Sequence, residues 1–449
     1  MVPANFQKLF LSLLLLISIP ASSYRRLDDR EKIRAEMEFS LQQELLSKWY
    51  PQSMDKEHGG FFTTYTFDFK LTGEQDKMIV SQARHTWTNA MASLRYPNVD
   101  FYKAGGKWGY EFLRDFFWDK DNGGFYTLLS RQGVVKDDRK TAYGNAFGIY
   151  ALAAYYKASK DTGALNLAKK AFTWLEKHSH DAVHKGYYQH LNKDGSLAKR
   201  TASTPSTSDL GYKDQNSSIH LLEAFTELYQ VWPDPLLKVR LEEMLLLVRD
   251  KMVSRRGYLV LFFEPDWKPV SYQDSGAAAI QKHRSLDHVS FGHDVETAYL
   301  MAEASHTLGL KGDNATLRIG KKMVDHALRT GWDGRLGGFY DQGYYFKGAG
   351  KMSILKQSKN WWAQAEGLNT LLLMADRYPK DGQQYFEKFK TLWGYTKAYL
   401  IDHNNGDWYE EGLDNDPHRR TGLKGHAWKA TYHHYRALSN CIDQLKKAG

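Results

Sequence analysis

One signature recurs six times along the chain: a glycine followed by aromatic residues. The copies are Gly59-Gly60-Phe61-Phe62, Gly123-Gly124-Phe125-Tyr126, Gly186-Tyr187-Tyr188, Gly257-Tyr258, Gly337-Gly338-Phe339-Tyr340 and Gly406-Asp407-Trp408-Tyr409, spaced from 63 to 80 residues apart. An aspartate stands four or five residues ahead of five of them: Asp55, Asp119, Asp181, Asp333 and Asp402. Self-similarity at a fixed period constrains a fold more than any composition does, because each repeat must bury its apolar face against the next.

The stretches between copies read as helices. Residues 145–158 are apolar almost all round, as a buried helix should be. Residues 164–178 place Leu167, Ala171, Trp174 and Leu175 on one face with lysines opposite, an amphipathic outer helix. The same inner–outer alternation recurs at 216–231 with 236–252, 292–308 with 314–330, and 360–377 with 383–401. Residues 29–49 open the series as an outer helix and 427–446 close it as an inner one. The period exceeds the usual solenoid repeat, and inner helices apolar on most faces require a closed ring. The expected fold is therefore all-α: a single (α/α)6-barrel domain over residues 24–449, six inner and six outer helices, with short β-hairpins or loops at one end. An open helical solenoid is the alternative.

Composition agrees with a folded enzyme-sized domain. Hydrophobic residues make up 42% and charged residues 25%, which excludes a disordered or fibrous chain. Cys441 is the only cysteine, so no intramolecular disulfide framework or Cys-rich metal cluster can form. The net charge of +9 is scattered among acids rather than gathered on one segment, so no nucleic-acid partner is expected. At the amino terminus, Lys8, the apolar run Leu9–Ile19 and Pro20-Ala21-Ser22-Ser23 have the layout of a secretory signal over residues 1–23. The expectation is an exported, periplasmic monomer with no membrane association after signal removal, or a cytoplasmic one if the chain starts downstream. Aromatic residues reach 14%. Most fill the core, but a few flat rings also suit the C–H faces of sugars.

The unusual polar residues collect at one place in each repeat, the start of the inner helix. They are Arg84, Tyr143 with Asn145, Asn216 with His220, His293 with Glu296, Trp361 and Trp362 with Glu366, and Trp428 with His433. In a ring, equivalent positions face one cavity at the same end, and a concave aromatic site with a few polar groups is the form of a small-ligand site. Asn216 and His220 share a helix face, as do Trp362 and Glu366; His293 and Glu296 are spaced to meet. Among catalytic signatures, HExxH, an EF-hand loop, a phosphate-binding P-loop, a dinucleotide glycine fingerprint and Gly-x-Ser-x-Gly do not occur. No metal or other cofactor is expected.

Four segments carry a resemblance: Asp214-Gln215-Asn216-Ser217-Ser218-Ile219-His220-Leu221-Leu222-Glu223-Ala224, Gly292-His293-Asp294-Val295-Glu296, Asn360-Trp361-Trp362-Ala363-Gln364-Ala365-Glu366 and Trp428-Lys429-Ala430-Thr431-Tyr432-His433. They closely resemble the cellobiose 2-epimerases of the N-acylglucosamine 2-epimerase superfamily of (α/α)6 barrels, over essentially the whole mature chain. The resemblance implies interconversion of reducing-end glucose and mannose in β-1,4-linked disaccharides, without metal or nucleotide. It implies acid/base roles for His293 and His433, and substrate-binding or supporting roles for Arg84, Tyr143, Asn216, His220, Glu296, Trp362, Glu366 and Trp428, with Trp361 beside them.

The chemistry of these residue types is consistent with that implication. The hydrogen on C2 becomes removable once the sugar ring opens and C1 is a carbonyl. Arg84 or a charged imidazole would stabilise the resulting enediolate. Imidazole gives and takes protons near neutrality, and two of them on different helices can address opposite faces of C2. Rival readings are an aldose–ketose isomerase or N-acylglucosamine 2-epimerase, a glycoside hydrolase using Glu296 and Glu366, and a non-catalytic sugar binder.

Overall fold

The computed structural model describes residues 28–447; the secretory signal expected over residues 1–23 lies outside the described residues. Twelve long helices follow in order: α1 (Asp29–Phe39), α2 (Ile79–Arg95), α3 (Asp100–Phe112), α4 (Ala142–Ser159), α5 (Thr162–His178), α6 (Gln215–Val231), α7 (Pro235–Leu247), α8 (Phe291–Thr307), α9 (Asn314–Thr330), α10 (Trp361–Arg377), α11 (Tyr385–Tyr395) and α12 (Tyr432–Lys447). The outer helices α1, α3, α7 and α11 each run on into a π-helical segment, Ser40–Leu46, Leu113–Phe117, Val248–Met252 and Thr396–Leu400.

The even-numbered helices form the inner ring. Each packs on the next, from α2 through α4, α6, α8 and α10 to α12, and α12 returns to α2. Each odd-numbered helix lies outside a partner: α3 on α2, α5 on α4, α7 on α6, α9 on α8, α11 on α10 and α1 on α12. The result is a closed (α/α)6 barrel, not an open solenoid. Sequence explains the layering. In α4 every residue from Ala142 to Tyr155 is buried, whereas α5 buries Leu167, Ala171, Trp174 and Leu175 and exposes Lys170 and Lys177. No helix among the described residues is long and apolar enough to cross a membrane.

Short antiparallel strands pin the inner-helix N-termini. The residues just before α2, Lys77–Met78, pair with Leu128–Leu129 of the next repeat. Likewise Lys140–Thr141 pair with His190–Leu191, Lys213–Asp214 with Phe262–Phe263, and Val289–Ser290 with Gln342 and Gly343. The Gly-aromatic signatures are the turns that feed these strands. Gly59, Gly123, Gly186, Gly337 and Gly406 all hold positive φ, which glycine adopts without a Cβ penalty.

The aspartate ahead of five of the six turns has a partner that sequence reading did not identify. Asp119 accepts from the backbone N–H groups of Asp121 and Asn122 and from Lys140 Nζ at 2.7 Å. The same cradle recurs as Asp55 with Lys77, Asp181 with Lys213, Asp333 with Lys359 and Asp402 with Lys424. Each lysine lies on the strand segment leading to an inner helix or one repeat-end turn, so each pair ties a turn to the ring. Both Lys140 and Asp119 side chains are fully buried. Removing one member of such a pair strands the other charge, at a cost of about 3–5 kcal/mol. Lys140→Ala is therefore expected to lower unfolding free energy by about 3 kcal/mol or more in denaturant titration; a loss under ~1 kcal/mol would show the pair to be dispensable.

One boundary differs from expectation. The last inner helix was expected over 427–446 but starts at Tyr432. Lys429 is drawn inward to Asp407 at 2.6 Å and to the Lys424 carbonyl at 2.8 Å, which holds residues 426–429 as a turn.

Candidate active site

The N-terminal ends of the inner helices surround a cavity of about 180 Å³ lined by Arg84, Tyr143, Asn216, His220, His293, Glu296, Trp361, Trp362, Trp428 and His433. These are ten of the eleven sequence-predicted site residues. The eleventh, Glu366, is fully buried and lies behind His433 rather than at the cavity wall, with its Oε1 2.8 Å from His433 Nδ1. Asn145, grouped with Tyr143 in the sequence, points away: its Oδ1 accepts from the Phe125 N–H and secures a Gly-aromatic turn.

Three imidazoles are held through Nδ1, which leaves Nε2 as each ring's free nitrogen. His220 Nδ1 lies 2.9 Å from Glu223 Oε2, His293 Nδ1 2.8 Å from Ser290 Oγ, and His433 Nδ1 2.8 Å from Glu366. Their environments differ. Burial depresses the pKa of His293 to about 3, reinforced by the neighbouring His220 and His288, so this ring is a neutral base. His433 is also pushed down by burial, then by Arg84 and Arg436, while burial raises Glu366 to about 8. Burial thus favours the neutral imidazole of His433 and the protonated carboxyl of Glu366. Trp362 neighbours both rings, its centroid 4.7 Å from that of His293 and 5.7 Å from that of His433.

Glu296 does not meet His293, as its spacing had suggested. It turns instead to Arg436, whose Nη2 is 2.7 Å from the carboxylates of both Glu296 and Glu366. That arrangement answers two questions about these acids. A glycosidic bond cannot sit between two carboxylates that share one buried guanidinium, which removes the hydrolase arrangement. Glu296, Glu366 and His433 do bring three ligand atoms together, but the guanidinium already supplies the cation among them.

Arg84 is the cavity's own positive charge. It is 4% exposed, donating to the Trp428 carbonyl at 2.7 Å and the Tyr143 hydroxyl at 3.1 Å. Its guanidinium stacks over Phe147 at 4.7 Å and Tyr432 at 5.2 Å. Among the described residues no carboxylate pairs with it. A buried cation without a counter-charge is poised for an anion that forms in the cavity. At the mouth, Trp428 is 55% exposed, with its ring 6.3 Å from that of Tyr143. A larger depression of about 600 Å³ around Arg256, Arg329 and Tyr345 contains no acid/base pair of this kind.

Sequence reading overlooked Arg436, Glu223 and Tyr432. A signal existed in the spacing: Glu223 follows His220, and Arg436 follows His433, by one helical turn.

Comparison with known proteins agrees with the geometry. The profile of the N-acylglucosamine 2-epimerase (GlcNAc 2-epimerase) family matches residues 60–437. A cellobiose 2-epimerase of Bacteroides fragilis is 28% identical over 424 residues, covering 92% of this chain and 99% of that one. A second, of Ruminococcus albus, is 30% identical over 401 residues, covering 87% and 93%. The solved structure of cellobiose 2-epimerase from Spirochaeta thermophila superposes with a TM-score of 0.78 at 26% identity, covering 93% of this chain and 98% of that one. The closed helical ring, the histidines at one end of it and these matches lead to one assignment: the chain belongs to the N-acylglucosamine 2-epimerase family.

Proposed function

We propose that this protein inverts C2 of the reducing-end glucose in β-1,4-linked disaccharides such as cellobiose, giving glucosyl-mannose, by two-histidine proton transfer through an enediolate. The observation that carries the reading is the presence of two unlike imidazoles in one cavity, His293 held by a hydroxyl and His433 by a glutamate, beside an arginine with no carboxylate partner.

In this reading the open-chain aldehyde places C2 between His293 and His433. His293 Nε2 removes the C2 proton. The C–H electron pair moves into the C1–C2 bond, and the carbonyl electrons move onto O1. Arg84 stabilises the resulting enediolate, as fixed dipoles and charges do in a water-poor site. The His433–Glu366 pair then delivers a proton to the opposite face of C2, and the C1 carbonyl reforms. The reverse reaction exchanges the two roles. A single base serving one face would instead move a proton from C2 to C1 and make a ketose.

Incubating the protein with cellobiose and recording the product by NMR tests the proposal. Mannose at the reducing end supports it. A ketose identifies an isomerase, free glucose a hydrolase, and unchanged cellobiose a binder; each of these overturns it.

The exposed face of Trp428 is where the non-reacting sugar would stack. Trp428→Ala is expected to raise KM for cellobiose about tenfold, equivalent to ~1.4 kcal/mol, while kcat changes less than about threefold, the pattern of lost uniform binding. Unchanged KM would make Trp428 a spectator at the rim.

A further inference from the structure

Beneath the cavity, one guanidinium gathers carboxylates from three inner helices. Arg436 on α12 bonds Glu223 of α6 through Nη1, and Glu296 of α8 and Glu366 of α10 through Nη2. The Tyr432 hydroxyl also donates to Glu223. Arg436 and Glu223 are each 3% exposed, Glu296 1% and Glu366 0%, so solvent does not share the charge. Two of the three carboxylates are the Nδ1 partners of cavity histidines: Glu223 holds His220 and Glu366 holds His433. One side chain that does not line the cavity thus connects two that do.

We propose that Arg436 is a positioning residue for the reaction: through Glu223 and Glu366 it orients His220 and His433 with Nε2 toward the cavity and fixes the charge placed behind His433. Three buried carboxyl groups face one guanidinium, so Arg436 alone cannot balance all three in their ionised form. A planar fork can bridge two carboxylates at fixed angles where a point charge cannot. The other charged or titratable groups facing the cluster are Arg84 from α2, Tyr143 and Tyr150 from α4, Tyr299 and Glu303 from α8, and Tyr432, His434 and Cys441 from α12. Below it, Lys157 of α4 lies 3.4 Å from Glu227 of α6. None of these places a second cation among the three carboxylates.

The proposal rests on the two-histidine reading for its kinetic arm, so the test has a second arm that needs no substrate. In ring-15N-histidine-labelled protein, the neutral rings of His220 and His433 should each give the signature of a single tautomer with hydrogen on Nδ1. Arg436→Met is expected to mix the tautomers and raise the pH at which the His433–Glu366 pair loses its proton by a unit or more, because losing a nearby cation favours every protonated form. On cellobiose, kcat should fall at least tenfold while KM stays within about threefold, and the alkaline limb of the kcat profile should move up with the titration of the pair. Arg436→Lys keeps the charge and loses the fork; its limb should stay within half a unit of wild type while kcat remains reduced. If Arg436→Met does not fold, Glu223→Gln decides by sign: removing an anion should move the limb and the titration of the pair down. Wild-type tautomers and an unmoved titration in folded Arg436→Met, or an unmoved or upward shift in Glu223→Gln, would overturn the proposal. Loss of the kinetic arm alone, with the NMR changes present, would count against the two-histidine reaction and leave Arg436 in its place.

Discussion

Replacing either His293 or His433 with asparagine is expected to slow C2 inversion by about 10²–10⁴-fold, the usual worth of general acid–base catalysis. Asparagine retains much of the bulk and some hydrogen bonding, so the cavity should persist while proton transfer does not. The two variants should be equally impaired overall, since each ring is base in one direction and acid in the other. They should differ in exchange: one surviving base can still exchange the C2 hydrogen of one epimer without inverting it. Wild type should show a bell-shaped kcat/KM profile. His293 must be neutral, and its pKa is held near 3 by burial, so activity persists as pH falls well below the ordinary histidine value of about 6.5. The His433–Glu366 pair must carry a proton, and with Glu366 raised to about 8 activity should decline as pH rises through that region. Near-normal inversion by either variant would end the two-base assignment.

Arg84→Met should lower kcat by about 10²–10³-fold, the range seen when one donor to a developing oxyanion is removed. Burial without a carboxylate partner is the reason for so large an effect. In the resting protein the guanidinium meets only a carbonyl, a hydroxyl and two aromatic faces. Its strongest electrostatic interaction is therefore with charge that appears during the reaction. KM should change less than kcat, because the open-chain sugar is neutral until C2 is deprotonated. Arg84→Lys should not restore activity fully, as the ammonium cannot contact Trp428 and Tyr143 together. A kcat within about tenfold of wild type in Arg84→Met would mean that the enediolate is stabilised elsewhere.

Much of this was legible in the sequence because the repeat is periodic and its chemistry is not. The Gly-aromatic punctuation gave the ring, and the residues that broke helical apolarity, such as Arg84 and His293, fell at the helix ends that line the cavity. What stayed hidden depends on pairs distant in the chain. Lys140 reads as an ordinary surface lysine until Asp119 is placed beside it. Arg436 sits one turn beyond His433 on the last inner helix, and only closure of α12 against α6, α8 and α10 makes it a buried hub. Local spacing misled at Glu296, whose nearest histidine in sequence is not its partner in space. It also misled at Trp428, which turn geometry removes from the helix and sets at the mouth.

The central claim is that a proton leaves C2 to one side chain and returns from another. The direct measurement is wild-type enzyme with cellobiose in heavy water, with deuterium at C2 of the glucosyl-mannose product read by NMR. The account predicts close to one deuterium at C2 of each inverted molecule, because the proton delivered by the His433–Glu366 pair has exchanged with solvent. Inversion with the original hydrogen retained at C2 would contradict it, since a hydrogen that never leaves for solvent requires a hydride or single-base route.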